Sequence, residues 1–155
     1  VIDVVSRLFN IVQPNFAHFG RKDAQQLILI EKMVETEGCS IKIIPGKTIR
    51  ESSGLAMSSR NEYLTIEQTK DVKIIWESLQ LAKKMLDDGV VDPVIIRKSI
   101  SSTLLRVDTL KIDYVSIVDI KNLIEINQPI RGDLLISVAV FVGGVRLIDN
   151  VFYNY

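Results

Sequence analysis

Residues 16–46 read FAHFGRKDAQQLILIEKMVETEGCSIKIIPG, and the fold follows from this stretch. Phe16-Ala17-His18-Phe19 has the bulk of a short strand and runs into Gly20. From Asp23 the apolar positions Ala24, Leu27, Ile28, Met33 and Val34 recur at helical spacing until Gly38 supplies a stop. Ile41, Ile43 and Ile44 then form a second short strand that Pro45-Gly46 ends. Upstream, Ile2, Val5, Leu8, Phe9 and Val12 follow one helix face, and Gln13-Pro14-Asn15 breaks it, because a residue before proline is pushed out of the helical region. Helix, strand, helix, strand is the order of a doubly wound parallel sheet, here with too few strands to complete one.

Outward from this core the pattern changes. Residues 47–60 are small and polar without a clear period, which predicts a loop. Thr65 with Gln68 three positions on forms a capping box for one long helix whose face is Val72, Ile75, Trp76, Leu79, Ala82 and Leu86, ending before Gly89. Asp92-Pro93 places a cap and a first-turn proline before a second helix through Leu105. Ile112–Val118, Leu134–Val142 and Val145–Ile148, the last two joined at Gly143-Gly144, predict a small antiparallel sheet carrying those helices. The fold class is therefore α/β: an incomplete nucleotide-fold half over residues 1–47, then a small α+β domain with an antiparallel sheet over 48–155.

The chain has 155 residues, 47% hydrophobic and 25% charged, enough for one ordinary domain or two very small ones. Nineteen basic against nineteen acidic side chains remove the electrostatic footprint of a nucleic-acid or acidic-membrane binder. The longest apolar run, Leu134–Val142, is about half of what a bilayer span needs, so a soluble protein with no membrane partner is expected. One cysteine and one histidine leave neither an internal disulfide nor a zinc site rich in these residues. The balance also divides: residues 1–60 carry eight basic and six acidic side chains, net +2, while 61–155 carry eleven and thirteen, net −2. Val1 opens the chain on a helical face without a cap, which reads as a start inside an element.

Two segments could carry chemistry. In Gly20-Arg21-Lys22-Asp23-Ala24-Gln25-Gln26 a glycine and two cations precede a helix, bringing unpaired backbone N–H groups, the positive end of a helix dipole and an ammonium to one point. The plainer reading is a turn at Gly20, an N-cap at Asp23 and a solvated Lys22. In Met57-Ser58-Ser59-Arg60-Asn61, after Gly54, two hydroxyls and a guanidinium fit phosphate oxygens, against the alternative of a polar linker. Gly46-Lys47-Thr48 imitates the end of a P-loop, but Ile41 stands where its first glycine must be. His18 and Trp76 read as core residues, and Cys39 as inert.

With their flanks these segments resemble the pantothenate synthetase (pantoate–β-alanine ligase) family. The resemblance rests on Leu8-Phe9-Asn10-Ile11-Val12-Gln13-Pro14, Phe19-Gly20 through Leu27, Arg50, Gly54-Leu55-Ala56-Met57-Ser58-Ser59-Arg60-Asn61 with Tyr63-Leu64, Ala139, and Arg146-Leu147-Ile148-Asp149-Asn150. It covers essentially the whole chain but little over half the family's usual length, without the N-terminal segment that carries a His-x-x-His signature. It implies a Rossmann-like nucleotidyltransferase half followed by a lid-like domain, and a cytoplasmic enzyme, homodimeric when full length. The reaction implied joins pantoate and β-alanine through pantoyl adenylate with ATP and Mg2+. It also implies that Lys22 meets ATP phosphate beside Gly20, that Asp23 meets the ribose or the magnesium-bound phosphates, and that Gln26 meets pantoate. Ser58, Ser59 and Arg60 would close on the β- and γ-phosphates, with Ile49 and Met57 flanking the adenine. Arg21, Ala24 and Ser53 depart from the family pattern, the first reversing a charge. On this basis the 155 residues alone are expected to be catalytically incompetent; the rival expectation is a non-catalytic assembly domain derived from such a ligase.

Overall fold

The computed structural model describes residues 1–155, which divide into two compact units, Val1–Thr48 and Ile49–Tyr155. In the first unit α1 spans Ile2–Val12, β1 Phe16–Gly20, α2 Ala24–Thr36 and β2 Lys42–Gly46. β1 and β2 pair in parallel, Phe16 opposite Lys42 and Gly20 opposite Gly46, so α2 is the crossover of a βαβ unit. A small core of Phe9, Ile30 and Met33 holds the elements, with Val5, Ala17, Phe19, Val34, Ile41 and Ile43 packed around it. The Phe9 and Phe19 rings meet edge to face with centroids 6.4 Å apart. Of the helical face expected in α1, only Phe9 is buried; Ile2, Leu8 and Val12 are exposed.

His18 is exposed, contrary to the core position expected for it. Burial alternates along β1, with Ala17 and Phe19 turned inward and Phe16, His18 and Gly20 outward. Successive strand residues face opposite sides, so apolar neighbours of a strand histidine argue against its burial.

In the second unit the helix expected after Thr65 is two: α3 over Ile66–Asp71 and α4 over Lys73–Asp87. Val72, fully buried, joins them with a tightened turn in which Ile75 N donates to Val72 O at 3.1 Å. The Thr65–Gln68 capping box forms, with bonds of 2.9 and 3.2 Å. α5 spans Pro93–Leu104, and the Asp92 carboxylate accepts from Val94 N at 2.8 Å.

β3 (Leu110–Asp119), β4 (Leu134–Val142) and β5 (Val145–Tyr153) make an antiparallel sheet in the order β3-β4-β5. The β4–β5 turn places Gly143 and Gly144 at φ 57° and 85°, the pair of positive values a two-residue hairpin demands. β4 is the central strand and is buried almost throughout, which accounts for an apolar run interrupted only by Ser137. Ile136, Val138 and Val140 pack with Ile75, Leu79, Ile96 and Ile100 from the helices, each such side chain contributing about 1.5–3 kcal/mol of burial. β5 runs past the end expected at Ile148, because Asp149 and Asn150, turn-formers by composition, are buried inside the strand.

Candidate functional site

The first group of candidate residues lies where β1 passes into α2. Gly20 ends the strand in an extended conformation, a single 3₁₀ turn spans Arg21–Asp23, and α2 begins at Ala24. Asp23 occupies the N-cap position, but its side chain makes no capping hydrogen bond, so the cap expected there is absent. The 3₁₀ turn makes the entry in its place, leaving the carboxylate exposed. Phe19, Gly20, Asp23, Gln26 and Leu27 line a recess of about 60 Å³, a fraction of the roughly 300–1,000 Å³ of a site for a drug-sized ligand.

This recess sits at the carboxyl end of a parallel strand and against the N-terminal turn of the following helix, the place where open α/β sheets bind their ligands. A Cβ built on Gly20 meets nothing within 4 Å, so the glycine leaves the approach to the recess bare. Lys22 is half-buried on the same turn and does not line the recess. Arg21 acts along α2: lost hydration there raises the Glu31 carboxyl above its ordinary pKa, and the Arg21 guanidinium lowers it part of the way back.

The second group lies in the segment expected to be an irregular loop, which is in fact a short hairpin followed by a 3₁₀ turn. Arg50 and Ala56 form an antiparallel bridge, Glu51 N donates to Leu55 O and Met57 N to Ile49 O, each at 2.9 Å. Gly54 closes the turn at φ +89°, and a Cβ there would lie 2.2 Å from Trp76 Cδ1. Alternation puts Ala56 inside and partly buries Arg50, and leaves Ile49 and Met57 outward as an exposed apolar pair, 65% and 55% accessible.

Ser58 then caps the 3₁₀ turn Ser59–Tyr63, its Oγ accepting from Arg60 N at 3.2 Å, which leaves its hydroxyl proton available to another acceptor. The side chains of Ser59 and Arg60 are exposed beside it. Asn61 ties the turn to the hairpin, Nδ2 donating to Glu51 Oε1 at 3.0 Å and to Ala56 O at 3.2 Å. Its Oδ1 is buried without a hydrogen-bond partner.

Sequence reasoning assigned no role to the residues that hold this segment. Arg50 forks onto Asp149, Nη1 to Oδ2 at 2.6 Å and Nη2 to Oδ1 at 2.9 Å, while Nη1 also donates to Gly54 O at 2.9 Å. The guanidinium carbon sits 3.6 Å from the centroid of the Trp76 ring, which is therefore half-buried as a platform and not enclosed as core. The signal available in the sequence was an aspartate flanked by the apolar pairs Leu147-Ile148 and Val151-Phe152, since a carboxylate buried among such neighbours requires a cation for a partner.

Each unit thus offers a small polar group on a rigid support: a helix-entry recess in one, and in the other an apolar pair next to paired hydroxyls and a guanidinium. Together with the βαβ order, they define an α/β protein of the Rossmann-like class with an appended α+β unit. The chain belongs to the pantoate-beta-alanine ligase family, whose model matches residues 1–152. It is 44% identical to a pantothenate synthetase of Caldicellulosiruptor bescii over 151 residues, 97% of this chain and 53% of that protein. It is 45% identical to that of Fervidobacterium nodosum over 154 residues, 99% of this chain and 54% of that protein.

Among solved structures, pantothenate synthetase from Thermus thermophilus superposes with a TM-score of 0.87 at 33% identity, over 97% of this chain and 54% of that one. The pantoate-beta-alanine ligase of Francisella tularensis, complexed with beta-gamma ATP and beta-alanine, gives a TM-score of 0.65 at 30% identity, over 97% of this chain and 48% of that one. The chain spans about half the length of the relatives it matches.

Proposed function

We propose that these residues are the C-terminal portion of an ATP-dependent ligase that condenses pantoate with β-alanine to give pantothenate. The family match over nearly the whole chain carries this reading. In the reaction, a carboxylate oxygen of pantoate attacks the α-phosphorus of ATP and pyrophosphate leaves, giving pantoyl adenylate. The β-alanine amine then attacks the activated carbonyl, AMP departs and the amine loses its proton.

Adenylyl transfer needs alignment and compensation of charge spreading over phosphate oxygens, more than acid–base chemistry. Lys22 and Arg60 supply the cations, and Ser58 and Ser59 supply hydroxyl donors to the β- and γ-phosphates. The exposed Ile49 and Met57 pair offers apolar contact to the adenine faces, while Gln26, at the recess beside Gly20, binds pantoate. Magnesium fits as an ion carried in on the triphosphate. Asp23 is the single carboxylate at the recess and no group of three acidic or imidazole ligands exists, as suits an ion bound by one carboxylate plus substrate phosphates. Asp23 would hold that ion or the ribose, and the ion would offset phosphate charge.

By itself the 155-residue chain is catalytically incompetent on this reading, since one histidine cannot supply a His-x-x-His pair. The complete enzyme is, on the same reading, a cytoplasmic homodimer. No helix of this chain is long and apolar enough to cross a membrane. In a full-length enzyme carrying this sequence, Lys22→Ala and Arg60→Ala should each slow pyrophosphate release from ATP and pantoate by about 100-fold or more, as removal of one transition-state donor does elsewhere. Normal rates in both variants would remove the assignment.

A further inference from the structure

The Arg50–Asp149 pair is the most buried ion pair of the second unit, and the phosphate and adenine assignments make no use of it. The partners stand 99 positions apart in the chain, and their side chains are 18% and 3% exposed. Both terminal nitrogens are engaged: one bridges the Asp149 carboxylate and the Gly54 carbonyl, the other meets the second carboxylate oxygen, and the guanidinium lies over Trp76. The carboxylate accepts in addition from Asn150 N at 2.7 Å.

A buried ion pair of this kind adds little net stability, because desolvation offsets the attraction, but its bidentate geometry fixes direction. What it fixes here is the hairpin. With Arg50 drawn inward onto β5, its hairpin neighbours Ile49 and Met57 stand outward, and Asn61 passes the same constraint to the turn that bears Ser59 and Arg60.

We infer that Arg50 and Asp149 are positioning residues that hold segment 49–60 in the shape that receives the nucleotide. The inference rests on the proposed adenine and phosphate contacts of that segment. Lysine cannot replace the fork, since an ammonium is a compact point charge without the planar pair of parallel donors and does not stack on the indole in the same way.

Two readouts test it, using Arg50→Lys and Asp149→Asn so that one variant remains if the other fails to fold. In this chain, exchange of the hairpin amides of Gly54 and Met57 should quicken by about 10- to 100-fold, with the buried α5 amide of Ile100 unchanged. In a full-length enzyme of this sequence, KM for ATP should rise by about tenfold or more with KM for β-alanine unmoved, in both variants. Unchanged hairpin exchange would overturn the inference, as would equal quickening at Ile100, which marks a merely structural role. Faster hairpin exchange with an unaltered KM for ATP would also overturn it, provided Arg60→Ala in the same assay still impairs adenylate formation. If Arg60→Ala has no effect either, the failure belongs to the proposed nucleotide contacts and the inference falls with them.

Discussion

Gly54 concentrates the constraints of the candidate site in one residue. Its φ of +89° disfavours any side chain, and the nearest atoms to an added Cβ belong to an indole ring fixed under the Arg50 guanidinium. The ring cannot withdraw as a flexible chain end would. Gly54→Ala should therefore destabilise the second unit by about 2–4 kcal/mol, the sum of a left-handed backbone penalty and overpacking. Urea unfolding followed by emission of the single tryptophan, Trp76, measures this; a loss below about 0.5 kcal/mol would show that the hairpin tolerates another turn. At this scale the sequence was legible where chemistry is local. Gly20, Asp23 and Gln26 stand within seven consecutive residues and the structure gathers them in one recess, whereas Arg50 and Asp149 meet only through the sheet and no spacing announces them.

Elements defined by their own periodicity and caps were readable; those defined by contacts from elsewhere were not. The βαβ run, the Thr65–Gln68 box, the Asp92 cap and the Gly143-Gly144 turn each carry their signal within a few residues. The tightened turn at Val72 depends on burying that side chain completely, and the 49–57 hairpin on its anchor in β5, so neither shows as a pattern. The extension of β5 beyond Ile148 has the same origin, since Asp149 is compatible with a buried strand only because Arg50 neutralises it. Both capping interactions are side chain to backbone in short-range geometry. Thr65→Ala and Asp92→Ala should accordingly each lower stability by about 1 kcal/mol, additively because they cap different helices. Thermal unfolding of the single and double variants reads this out, and an effect near zero in both would mean that packing alone defines those helix starts.

Over the whole molecule, zero net charge hides an asymmetry between the first 60 residues and the remainder. The first 60 residues are net +2 and hold all the candidate phosphate contacts, Lys22, Ser58, Ser59 and Arg60. Phosphate oxygens need a few directed donors on rigid supports, and each unit holds its own candidates on its own backbone: the βαβ crossover in one, the anchored hairpin in the other. The central claim is that these particular residues form the nucleotide face of an adenylate-forming ligase. It is tested most directly by titrating the chain with millimolar magnesium–ATP and following backbone amide shifts residue by residue. The account predicts saturable shifts confined to residues 20–26 and 49–61, lost around Ser58–Asn61 in Arg60→Ala; shifts elsewhere, or none in either segment, would contradict it.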